Sequence, residues 1–238
     1  MILCRNRTLA LVLRIAGTAL GIFGLAVMLT ASSPGLQLSY YTIQTNIFSV
    51  ALFFVLSVAS AVQIKRSGAH GDVVCAKPSF QLALTFYITI TFAVYWSMLS
   101  WQNFSMGNDR TRVILMTAAN YIVHGVVPLL AIADWLLFMP HGGVRRKRAA
   151  AWLIYPAVYA VFIFVRAEIG PPFYGTTRYP YPFIDVDVIG GWVAAVVVAM
   201  AVAFFALGLL YIFLDERLAK KLSPSLYALR KEVYVRTP

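Results

Sequence analysis

The chain has 238 residues, 61% of them hydrophobic and only 12% charged, with a mean hydropathy of +0.77. That leaves too little polar surface to cover a water-soluble globule of this size, so lipid is the expected solvent. The net charge of +11 does not point to nucleic acid, because the basic residues fall in short stretches between long apolar runs and read as topology signals.

A helix needs about 20 apolar residues to cross roughly 30 Å of hydrocarbon. Six runs meet that requirement, near residues 9–31, 41–63, 80–100, 113–138, 149–166 and 188–214. Backbone groups in lipid must be bonded internally and none of the runs alternates like a strand, so the expected fold class is all-α. The expected architecture is one transmembrane bundle spanning residues 1–238, ending in a short basic tail over 215–238. The first run is about 23 residues long, too long for the apolar part of a secretory signal, and is read as a retained helix.

With the N-terminus inside, the inner segments hold fifteen basic residues: Arg5, Arg7, Lys65, Arg66, Lys77, Arg145, Arg146, Lys147, Arg148, Arg217, Lys220, Lys221, Arg230, Lys231 and Arg236. The outer segments hold three, Arg110, Arg112 and Arg178, while Arg14 and Arg166 fall within or at the ends of spans. This asymmetry predicts that both termini are cytoplasmic; the expected location is the plasma membrane.

In the first span, Gly17, Gly21 and Gly24 are spaced for close approach of another helix, a packing role. At the outer start of the second span the chain reads Tyr40-Tyr41-Thr42-Ile43-Gln44-Thr45-Asn46. Thr42, Thr45, Asn46 and Ser49 recur at steps of three, four and seven, which puts them on one helical face. Such a stripe suits hydrogen bonds between helices, and equally a polar site inside the bundle.

His124, in the fourth span, is the one histidine of three placed inside a span; His70 and His141 fall in connecting segments and are expected to be solvated. Asn120 precedes His124 by one turn and is positioned to orient its ring. Pro128 follows by four residues and cannot supply the amide that would bond the His124 carbonyl, which predicts a loosened helix there. Counted from the ends of their spans, Thr42 and His124 lie at similar depths near the outer boundary.

The last outer segment, residues 170–187, contains Tyr174, Tyr179, Tyr181, Phe183, Asp185 and Asp187, with Arg166 and Glu168 just before it. An aromatic belt at the membrane surface fits this composition. So does a roof over a site built from Thr42 and His124.

A hydroxyl and an imidazole at one depth can serve as nucleophile and general base, and the matching reaction is acyl transfer to water. Asp134 lies ten residues beyond His124, about 15 Å along the helix, so Asp185 or Asp187 is the better candidate for a carboxylate orienting the imidazole. Asn46, Gln44 and Tyr181 are candidate oxyanion donors, and Thr45 is an alternative nucleophile. No His, Cys, Asp and Glu cluster has metal-ligand spacing, and no metal or cofactor is expected.

The Tyr40–Asn46 block, the His-Gly-Val-Val-Pro block over residues 124–128 and Tyr181-Pro182-Phe183 together resemble the androgen-induced protein family. Members are small multi-pass membrane proteins and include threonine hydrolases that cleave fatty acid esters of hydroxy fatty acids. The resemblance implies a nucleophilic threonine at Thr42, a catalytic histidine at His124, and membrane lipids and a lipid ester as partners. Gln44-Thr45-Asn46 follows the pattern of the family's microbial members. Two other readings remain: a transporter or ion-coupled carrier with His124 and Asp134 as protonatable sites, and a non-catalytic lipid-binding or scaffold protein.

Overall fold

The computed structural model describes residues 2–101 and 109–224. Six helices in it are long and apolar enough to cross a membrane: α1 (Arg7–Leu29), α2 (Tyr41–Ser67), α3 (Pro78–Leu99), α4 (Arg110–Phe138), α5 (Arg148–Ile169) and α6 (Trp192–Leu222). The chain is an integral multi-pass membrane protein. Its outward side chains suit lipid: Val198 and Val202 on α6 and Val161 on α5 are more than 60% exposed, a pattern costly in water and neutral in hydrocarbon.

The span boundaries differ from the expected ones mainly at α6, which starts later and runs eight residues further than 214. Asp185 caps a short turn over Val186–Ile189, and Gly190, at φ 57°, ends it before α6 begins. At the far end the helix continues through Asp215 and Glu216. The distal tail residues Arg230, Lys231 and Arg236 lie outside the described residues.

The glycines of α1 do pack closely. A Cβ on Gly17 would sit 2.7 Å from the Phe53 ring and one on Gly21 2.2 Å from Val50 Cγ2, both on α2, while Gly24 faces Val123 of α4 at 2.9 Å. Gly21→Ala is therefore expected to cost about 1–3 kcal/mol, because β-branched Val50 has little rotamer freedom in a helix. Thermal unfolding in micelles measures this, and Val50→Ala in the same chain should recover much of the loss.

Away from Thr42, the first four helices are clasped by a buried polar network. Arg14 is 0% exposed and donates to Asp134 at 2.7 Å, to Ser60 at 2.7 Å and to the Val74 carbonyl at 2.9 Å. Gln81 donates to the other Asp134 oxygen at 2.8 Å. One residue from each of α1, α2, α3 and α4 thus meets in a fully bonded cluster, the form in which buried charge is tolerated. At the same end His141 is buried, not solvated as expected: it bonds Asp215 of α6 at 2.8 Å and the Leu136 carbonyl at 3.0 Å.

Candidate active site

Thr42 is the second residue of α2 and His124 lies near the middle of α4; the bundle brings them together, with Thr42 Oγ1 3.2 Å from His124 Nε2. Both are buried, at 8% and 7% exposed. Their approach depends on a local change in each of two helices. Over Ile122–Val126, α4 widens into a π turn, and α3 does the same over Tyr95–Leu99; such turns shift side chains out of α-helical register and often mark functional sites. Tyr95 and His124 occupy these two turns and stack, with ring centroids 3.9 Å apart and planes at 17°.

Pro128 contributes as expected. In the π turn the Val127 amide bonds the Ile122 carbonyl, and proline has no amide to offer. The Val123 and His124 carbonyls instead find side-chain donors, Asn46 Nδ2 at 3.0 Å and Trp96 Nε1 at 3.1 Å.

The hydrogen bonds also assign the tautomer. His124 Nδ1 lies 3.0 Å from the Asn120 carbonyl oxygen, which can only accept, so Nδ1 carries the proton and Nε2 presents its lone pair to Thr42. The Asn120 main chain therefore fixes the tautomer and orientation of the ring, the positioning part of a carboxylate's role in a Ser-His-Asp triad. The Asn120 side chain, expected to orient the ring, donates instead to the Tyr95 hydroxyl and acts through the stacked phenol. Asp185 is not brought to the histidine; it caps the Val186–Ile189 turn.

Asn46 commits its amide group to the Thr42 and Val123 carbonyls, and so braces the turn that carries Thr42. Thr45 bonds the Tyr41 and Thr42 carbonyls and the Thr91 hydroxyl at 2.8 Å. Gln44 bonds the Leu38 carbonyl and the Tyr155 hydroxyl. Of the proposed donors, Tyr181 faces the reacting atoms. Its hydroxyl accepts from the Tyr41 amide at 3.2 Å and interacts with the amide and hydroxyl of Thr42. Burial pushes the Tyr181 phenol above its usual pKa, so its O–H stays available as a donor.

Tyr159, which the sequence did not single out, shares the Tyr41 amide at 3.1 Å and donates to the Ser39 carbonyl. The start of α2, with its positive dipole end, is thus set against two phenols beside Thr42 that accept from the Tyr41 amide. Tyr181→Phe is expected to lower turnover about 10²-fold, the usual effect of losing one oxyanion donor, with unfolding temperature nearly unchanged since Tyr159 still holds the Tyr41 amide. Steady-state ester hydrolysis measures it.

Thr42 opens onto a cavity of about 330 Å³ that also touches Tyr95, within the range of about 300–1,000 Å³ of small-ligand pockets. Its walls are apolar: Ala157, Ala160 and Ile163 from α5, and Met200, Ala201 and Phe204 from α6. Ala157 and Ala201 are also exposed, so the cavity reaches the lipid-facing surface between these two helices. Tyr181, Phe183 and Ile184 close its end, so the 170–187 segment forms a roof. Beside that roof, Arg178 bridges Asp187 at 2.7 Å and Glu168 at 3.0 Å and holds the Asp187 carboxyl below its usual range.

Comparison with protein-family models, with curated proteins and with solved structures finds no match for this chain.

Proposed function

We propose that the protein is an intramembrane hydrolase of lipid esters, with Thr42 as nucleophile and His124 as general base. The observation that carries the reading is the 3.2 Å contact from Thr42 Oγ1 to the free Nε2 of His124, on the wall of a cavity that reaches the lipid face. An ester slides in between α5 and α6 and places its carbonyl at Thr42. Oγ attacks as Nε2 takes the hydroxyl proton, and the proton passes to the departing alkoxide. Water, deprotonated by the same nitrogen, then attacks the acyl carbon; the bond to Thr42 Oγ breaks, the acid leaves and Nε2 returns the proton to Oγ. Tyr181 stabilises the oxyanion.

The resemblance to the androgen-induced protein family supports the same roles, since its motif blocks hold Thr42, His124 and Tyr181, and it makes fatty acid esters of hydroxy fatty acids the first substrates to try. The basic-residue asymmetry supports cytoplasmic termini and a site near the outer leaflet. Hydrolysis of a long-chain fatty ester by purified protein in micelles tests the proposal. Turnover is expected, with loss in Thr42→Ala; turnover equal in both proteins would count against it.

A further inference from the structure

One cation beside the roof of the cavity has no anionic partner among the described residues. Arg166, in the last turn of α5, makes no hydrogen bond or ion pair among the described residues, and its Nη1 is buried without an acceptor. Nearby acids are already engaged, because Glu168 and Asp187 both bind Arg178. The guanidinium is nevertheless held in place: its central carbon lies 4.0 Å from the Phe173 ring centroid, and a Cβ on Gly170 would sit 3.1 Å from its Nε.

Its neighbours lead to the cavity. The Phe173 ring packs edge-on against Tyr40 at 5.1 Å, and Tyr40 packs against Tyr181, part of the roof, at 6.0 Å. Along α5, Tyr159, Ile163 and Arg166 follow at steps of four and three and share one face. Tyr159 and Ile163 both line the cavity. Arg166 thus stands about 10 Å along the helix axis beyond the phenol that reaches the start of α2.

A fixed guanidinium with a buried, unsatisfied N–H is costly alone and strongly favours an anion that can accept from it. An apolar chamber with such a group packed against the aromatic residues of its roof matches one kind of ligand. We infer that Arg166 recognises the anionic end of an amphiphile, a carboxylate or a phosphate monoester, whose apolar chain fills the cavity beside Thr42. The inference rests on reading the cavity as a lipid site but requires no chemistry at Thr42.

The test therefore uses the Thr42→Ala protein in micelles, with equilibrium binding of labelled palmitate, hexadecyl phosphate and methyl palmitate. At least one anion is expected to bind about 10-fold or more tighter than methyl palmitate, and the better of the two identifies the headgroup chemistry. Arg166→Gln should abolish that preference while leaving methyl palmitate binding unchanged, which also reports an intact cavity. Arg166→Lys should retain part of it. Equal binding of all three ligands, binding of none, or an unchanged preference in Arg166→Gln overturns the inference. Failure of the hydrolase reading registers separately, as absent turnover with Thr42 in place.

Discussion

Replacing His124 with alanine is expected to lower ester turnover about 10²–10⁴-fold, the range for loss of a positioned general base. The effect should be in kcat, because the imidazole bonds the nucleophile and not the walls that hold the chain. His124→Ala should be nearly as damaging as Thr42→Ala, and the double variant little worse than either, since the two act as a unit. Steady-state kinetics on the three proteins measures this, with unfolding temperatures alongside. Independent, multiplying losses would contradict a working pair.

Asp134→Ala is expected to destabilise the bundle by about 3–5 kcal/mol, because it strands the buried Arg14 charge without its carboxylate partner. Arg14 is fully buried and its bonds to Ser60 and the Val74 carbonyl go to neutral acceptors that cannot balance it. Removing both charges, as Arg14→Met with Asp134→Leu, should restore much of the loss, since packed apolar groups often replace a buried ion pair without penalty. Denaturation of the folded protein in mixed micelles gives the comparison. A single variant as stable as the parent would show that the clasp contributes little.

The six-helix layout was legible because lipid imposes a length and a composition on each span, and the similar depth of Thr42 and His124 was legible from counting along those spans, though depth does not say which faces meet. What joins them was less so. Pro128 signalled a loosened helix, but a π turn in α3 carries no such mark, and so Tyr95, the residue stacked on the imidazole, went unnoticed. Asn120 was identified by spacing, yet its main-chain carbonyl orients the ring while its side chain supports Tyr95. Spacing locates a residue without saying which of its atoms is used.

Charges misled for a related reason. His141 sits among basic residues and reads as solvated, whereas Asp215, seventy-four residues later, covers it. Contacts across such separations follow from packing, not from local pattern. The same pairing carries α6 past the point where apolar residues give way to Asp215 and Glu216. Arg14 read only as a charge within a span, because its partners come from two other helices and the segment between α2 and α3.

Covalent capture of the nucleophile tests the central claim most directly. A fluorophosphonate bearing a long alkyl chain, incubated with purified protein and mapped by peptide mass spectrometry, is predicted to modify Thr42, with labelling lost in Thr42→Ala and in His124→Ala. Modification of another residue such as Thr45, or labelling that survives both substitutions, would contradict the account.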